Sequence, residues 1–493
     1  MNTYQIINKY FFPIFGIFGV LFSFVPILGS KINLWNHWDG RLHLFRSFMF
    51  ISSVHDQIWL PRWSPFLYGE YGYPTNLYYP PLIYYLVLLI SDIFRNFLSL
   101  YDTYQLTLAF AAISICISSG LVGWVIFSDI TSAFLVSYIF AFGPYVLQTN
   151  VFMSASAPHI LGMSLMCWTT FFVVRSLVRN NSGIYEVAGI AVSIFVLGIT
   201  HGLSTILTGL FISIYLPLWS YLSRASTNKI IKIAISASIG ALGTSFFILP
   251  MIANAPLVQT EFLQMGPVNY KNWFVFWPGY PAPLWGVLPP EEYTAGSPVE
   301  LNLAYVNTVA APRLSIVQAF GLTYAIAISC VWLAKQKNTK LAIISLYSAI
   351  IAIVFYALQF DWMIKYWDAF PLIRFLQMPT RLWGIINLSV AISVGGGFVQ
   401  STPRNNWARV VSGAVICVIV VYSGVAGRKL ILNDVIDMRV NWQRVADYET
   451  DVPGYTASTN EFLPRTARYE TYLGDEARGF WLYDRTYPEA GWV

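Results

Sequence analysis

A succession of apolar runs, fourteen to twenty-three residues long, limits what this chain can fold into more than any other feature. They cover residues 10–28, 82–98, 106–127, 134–147, 160–174, 187–200, 203–222, 230–252, 314–333, 341–358, 382–399 and 410–425. A hydrocarbon core about 30 Å thick takes roughly 20 apolar residues as a helix, or ~10 alternating ones as a strand. Runs of this length are the helical kind. Charge agrees with them: only 11% of the residues are charged, against about 25% in soluble domains. The expected fold is therefore an all-α polytopic membrane protein with about eleven spans, within a range of ten to thirteen.

Basic residues set the expected orientation. The loops at 175–179, 224–232, 335–340 and 404–409 are short and carry Lys or Arg without acids. The positive-inside rule places them in the cytoplasm. Alternation then puts 148–159, 201–202, 254–313, 360–381 and the tail on the other face. The first 427 residues read as one transmembrane domain with outer loops at 31–81 and 254–313. Residues 428–493 form an extracytoplasmic tail. Run 10–28 lacks a small-residue cleavage site, so an uncleaved first span is expected. Between 31–81 and 148 an even number of crossings is needed, although three runs intervene. Either 82–98, which carries Asp92 and Arg95, or the short 134–147 is expected not to cross independently.

Several chemistries are excluded early. The four cysteines, Cys116, Cys167, Cys330 and Cys417, each lie inside an apolar run and read as small buried hydrophobes. There is no CxxC, HExxH or P-loop pattern, and a net charge of +5 is ordinary for basic loops. No nucleic acid is expected as a partner.

Polar chemistry concentrates in the loop after the first span. Asp39 and His43 stand four residues apart, so a helix there would carry both on one face. Asp39 suits a general base, or a metal ligand if a metal is held at all; it equally suits the cap of a helix starting at Gly40. His43 could share a proton, or simply bond Asp39. Glu70 and Arg62 read as a loop ion pair, with Glu70 also a candidate for a substrate pocket. Tyr79 closes an aromatic and proline-rich stretch that could stack on a sugar or anchor at the interface. Further on, His201 sits in a hairpin between apolar runs, where an ionisable side chain is costly unless paired or wet. Asn150, Ser154, Ser156 and His159 occupy the facing loop and could line the same cavity. Gln377 and Arg381 are again four apart, beside Pro379 at a helix start. A cation there opposes the helix dipole, so an anion should compensate it. Phosphate is one candidate, and Asp361 or Asp368 the plain alternative.

Taken together, WDGRLHLFRS (38–47), LPRWSPFLYGEYGYPTNLYYPPLIYYL (60–86), THGLS (200–204), RFLQMPTRLWG (374–384) and NEFLPR (460–465) resemble the GT-C superfamily of membrane glycosyltransferases. Within it the chain is most similar to bacterial membrane proteins labelled "6-pyruvoyl-tetrahydropterin synthase-related". The resemblance implies a GT-C-like helical bundle in a bacterial inner or plasma membrane, with its active site on the extracytoplasmic face. It further implies a polyprenyl-phosphate-linked sugar donor, a glycan, lipid or protein acceptor, membrane lipids as surroundings, and inverting chemistry reduced here to one acid, Asp39. Arg381 and Gln377 would take the donor phosphate, and Glu70, Tyr79, His159 and His201 would line the pocket. The resemblance leaves room for a divalent metal. GT-C enzymes often carry a second acid in the next outer loop, whereas 150–159 has none and offers His159 instead. That departure keeps a non-catalytic assembly subunit as an alternative. A lipid-linked glycan transporter is the third, although its expected paired halves are absent from the sequence.

Overall fold

In the computed structural model the described residues are 38–64, 72–95, 97–179, 183–258, 270, 274, 314–337, 339–370, 376, 378–401, 469–472 and 480–483. Runs 10–28 and 410–425, most of loop 254–313, most of the tail, Glu70 and Gln377 lie outside them. The fold is all-α and polytopic. In chain order the helices are α1 Trp38–His55, α2 Thr75–Tyr78, α3 Leu82–Ile93, α4 Leu100–Phe127, α5 Ile130–Ala141, a π-helix Tyr145–Met153, α6 Ala157–Val178, α7 Ile184–Gly198 and α8 Gly202–Ser223. They continue as α9 Thr227–Gly243, α10 Ser245–Asn254, α11 Ile316–Ala334, α12 Thr339–Ala357, α13 Ile364–Ala369 and α14 Trp383–Ser401. A short antiparallel pair in the tail, β1 Tyr469–Tyr472 and β2 Phe480–Tyr483, aligns Tyr469 with Tyr483.

Among the described residues six helices are long and apolar enough to cross a membrane: α4, α6, α8, α11, α12 and the unit Pro379–Ser401 that contains α14. Two further candidates are broken. The α5 and π-helix pair bends by 49°, and α9 with α10 by 61°. The sequence reads 230–252 as one span, but the chain breaks it at Thr244, just after Gly243 and ahead of Pro250. A glycine tolerates such a break and a proline removes a ladder donor. The run at 82–98 shrinks to the twelve residues of α3, too short for an unaided crossing. Helix α7, at fifteen residues, is short as well. It nevertheless travels the full height of α6, because it carries the chain from the end of α6 back to His201, whose ring lies 4.9 Å from that of His159 at the start of α6.

Helices α6 and α14 form the centre. Their most apolar windows are 83% and 94% buried by protein, whereas that of α11 is only 22% buried. Cys116 and Cys167 are buried as expected, but Cys330 on α11 is exposed for this reason. Small residues set the packing around α14. A Cβ at Gly397 would come within 2.7 Å of Ala325 Cα on α11, and one at Gly395 within 2.9 Å of Val136 on α5. Close approach of this kind is how helices gain packing energy where lipid is as apolar as their own side chains. Gln318 ties the same helices together, donating to Asn387 Oδ1 at 3.1 Å and to the Ile139 carbonyl at 3.2 Å.

Candidate active site

The site begins at the first turn of α1. Asp39 lies in the first described turn of this helix and so is not the residue that caps a helix from Gly40. Its charge favours the positive end of the helix dipole. The turn is fixed from across the sequence by Ser154: its hydroxyl donates to Asp39 Oδ2 at 2.6 Å, and its carbonyl accepts from the Gly40 amide at 2.8 Å. Ser154 stands where the π-helix ends. The next residue, Ala155, has φ +50°, a left-handed conformation uncommon for a side chain with a Cβ. Tyr104 of α4 holds this turn, donating to the Ala155 carbonyl at 2.8 Å. A strained backbone and a π-helix meeting at one carboxylate are typical of functional sites.

One turn along α1, His43 is buried and faces two tyrosines. Its Nδ1 lies 3.1 Å from the Tyr84 hydroxyl and its Nε2 3.4 Å from that of Tyr79. The imidazole thus bonds tyrosines where the sequence suggested Asp39. Burial, with Arg46 beside it, holds His43 well below the ordinary histidine range, so it is neutral near pH 7. A neutral ring has one donor and one acceptor nitrogen, matching two phenols. Arg46, three residues on, is buried with its guanidinium 4.9 Å from the centre of the Tyr79 ring, a cation–π contact. Burial, with Tyr84 next to it, keeps the Tyr79 phenol well above its usual value and protonated.

The second half of the site comes from the starts of α6 and α8. His159 Nε2 is 3.2 Å from the Tyr145 hydroxyl, and its ring packs on His201. His201 caps α8: its Nδ1 accepts from the Ser204 amide at 3.3 Å and pairs with the Ser204 hydroxyl at 2.8 Å. That bond explains why a histidine is tolerated in an apolar hairpin, and burial pushes its basicity well below normal. Gly162 makes the contact between α6 and α8 close, since a Cβ there would lie 2.5 Å from Ser204 Oγ.

Arg381 enters from the short 3₁₀ turn Pro379–Leu382 that precedes α14. It is half-buried, and its Nη1 donates to the Leu376 carbonyl at 2.8 Å. Electrostatic interaction joins it to Tyr145, Asp39 and Tyr79, and the charge of Arg381 also reaches His159 and His201. Asp368, one plain partner for Arg381, accepts a hydrogen bond from Tyr270. Arg62 donates to the Phe246 carbonyl at 3.1 Å and joins loop 1 to α10.

Asp39, His43, Tyr79, His159, His201 and Arg381 thus gather at one end of α6. Arg46, Tyr84, Tyr104, Tyr145 and Ser154 complete the cluster. Arg46 was legible in principle, since it lies three and seven residues beyond His43 and Asp39 and therefore on their helix face. Among the described residues of this cluster the fixed charges are one carboxylate against two guanidiniums, with His43 and His201 neutral. Such a site favours an anion. No three His, Cys, Asp or Glu side chains among the described residues gather to hold a metal. The described residues of the cluster supply a single carboxylate beside two cations, while Glu70 lies outside them.

No family model and no curated protein sequence matches the chain. Solved structures do. An oligosaccharyltransferase of Archaeoglobus fulgidus in complex with Zn and sulfate superposes with a TM-score of 0.51 at 14% identity, over 91% of this chain and 59% of that one. The oligosaccharyltransferase AglB of the same organism, in complex with an inhibitory peptide and a dolichol-phosphate, gives 0.50 at 12% identity, over 94% and 62%. The mycobacterial arabinofuranosyltransferase AftD gives 0.50 at 14% identity, over 89% of this chain but 30% of its own. The chain spans less than two thirds of each of these proteins. The likeness is one of fold and runs along nearly the whole of the present chain. The protein is an all-α polytopic membrane protein with a GT-C fold.

Proposed function

We propose that the chain is a membrane glycosyltransferase, moving a sugar from a polyprenyl-phosphate carrier to a glycan, lipid or protein acceptor on the extracytoplasmic face. One observation carries this reading: in a GT-C fold, the Asp39 carboxylate held by Ser154 is the one carboxylate among the described residues of a cluster with two arginines and neutral histidines. In inverting transfer the acceptor oxygen attacks the anomeric carbon as the bond to the phosphate oxygen breaks. Asp39 takes the acceptor's proton. The phosphate leaves already anionic and needs no acid, so one carboxylate suffices and an acid-free second loop is tolerated. Arg381 holds the departing charge through its planar fork, with Gln377 proposed beside it and Glu70 proposed at the pocket wall. His159, His201 and Tyr79 shape the pocket. No step is routed through a divalent metal.

The narrower likeness to the bacterial "6-pyruvoyl-tetrahydropterin synthase-related" proteins rests on the motifs alone, as does a bacterial inner membrane. Purified full-length protein given a radiolabelled sugar on a synthetic polyprenyl phosphate, with cell-envelope extract as acceptor source, is expected to move label off the lipid. Label that stays on the lipid with every extract and sugar tried would leave an assembly subunit as the better reading.

The face of the site is tested separately. In a cysteine-free background, Trp59→Cys near the site end and Lys337→Cys in a basic loop should differ in intact cells. An impermeant maleimide is expected to label position 59 and spare 337. Labelling of 337 alone would invert the orientation.

A further inference from the structure

At the end of α6 remote from the candidate site, charge and apolar surface meet again. A groove of about 380 Å³ lies between α6 and α7, lined by Trp168 and Phe172 on one side and Tyr185, Gly189, Val192 and Val196 on the other. It is open to the bilayer: Tyr185 is 60% and Val192 58% exposed. Gly189 keeps its floor low, since a Cβ there would sit 2.4 Å from Phe172 Cδ1. From Tyr185 to Val196 the groove runs about 16 Å along α7, roughly the depth of one leaflet's hydrocarbon.

The basic end of the groove carries more cation than its packing needs. Arg175 Nε and Arg179 Nη1 both bond Glu186 Oε1, at 2.9 and 3.0 Å, and the carboxylate is buried. Arg175 also lies 5.4 Å over the Tyr185 ring, at the mouth of the groove. Lys229 donates to the Leu177 and Arg179 carbonyls, which end α6. One carboxylate neutralises one guanidinium, and Arg175 alone would clamp α6 to α7. The excess charge falls on Arg179, whose side chain is 56% exposed.

We propose that this groove seats an acyl chain of an anionic phospholipid from the leaflet at the basic-loop end, with the headgroup phosphate on Arg179. Guanidinium geometry matches phosphate oxygens, and an apolar groove one leaflet deep that opens beside a surplus cation suits a lipid better than a soluble anion. The site is separate from the pocket at Asp39 and stands whether or not that pocket transfers sugar.

Native mass spectrometry of the full-length protein, titrated in detergent with dioleoyl-phosphatidylglycerol or dioleoyl-phosphatidylcholine, tests it. Phosphatidylglycerol is expected to bind at least about fivefold more tightly. Arg179→Gln should bring it down to the phosphatidylcholine level. Val192→Trp, which fills the groove and leaves the basic cluster intact, should weaken both lipids; it keeps the proposal testable if loss of Arg179 disturbs Glu186. Equal binding of the two lipids, a preference that survives Arg179→Gln, or no effect of Val192→Trp would each overturn it. Displacement of phosphatidylglycerol by inorganic phosphate would instead make this a soluble-anion site.

Discussion

Asp39→Asn is expected to lower turnover by about 10²-fold or more while leaving the fold intact. The amide oxygen can still accept the Ser154 hydroxyl, which now lies 2.6 Å from Oδ2, so the first turn of α1 keeps its tie. What is lost is the base. The substitution also removes a negative charge that interacts with Arg381, so an anionic donor should bind no more weakly than before. A fall in kcat with KM for the donor unchanged or lowered is therefore the predicted signature. Asp39→Ala should lose the Ser154 bond and the favourable first-turn charge as well, at a cost of about 1 kcal/mol in stability. Wild-type turnover by the Asn variant would leave Asp39 a purely structural anchor for α1.

Arg381 is expected to show the converse pattern. Arg381→Ala should weaken donor binding by roughly 10- to 100-fold, the value of a hydrogen bond to a charged group. Arg381→Lys keeps the charge but loses the fork, so it should fall in between. Because Nη1 also holds the Leu376 carbonyl at 2.8 Å, both variants loosen the segment before α14, and thermal unfolding must be read alongside. Binding of a polyprenyl phosphate, measured on variants matched for unfolding temperature, separates the roles. Donor affinity unchanged in Arg381→Ala would make the residue a fastener of the Leu376 turn only.

Much of this arrangement was legible in the residues. Apolar run length gave the helices, because a chain surrounded by lipid must satisfy its backbone inside each span. The four-residue step from Asp39 to His43 placed both on one helix face, and the hairpin at His201 pointed to the loop holding His159. Breaks were harder. The bends after α5 and α9 fall within or beside apolar stretches, and only Gly143–Pro144 and Gly243 with Pro250 mark them. Asp39 already lies within α1, so it does not cap a helix from Gly40. Least legible was the bond from Ser154 to Asp39, which spans 115 positions: no local pattern encodes a contact that arises only when α1 packs against the turn after the π-helix. The bonds from His43 to Tyr79, itself a sequence candidate, and to Tyr84 were hidden for the same reason.

If Asp39 is the base that lets this chain consume a lipid-linked sugar, loss of that carboxylate alone should stop the donor's consumption in cells. Profiles of polyprenyl-linked saccharides from cells lacking the gene, from cells carrying it, and from cells carrying Asp39→Asn test that most directly. One polyprenyl-phosphate sugar is predicted to accumulate in the first and third strains and to return to its normal level in the second. Identical profiles in all three, or full restoration by the Asn variant, would contradict it.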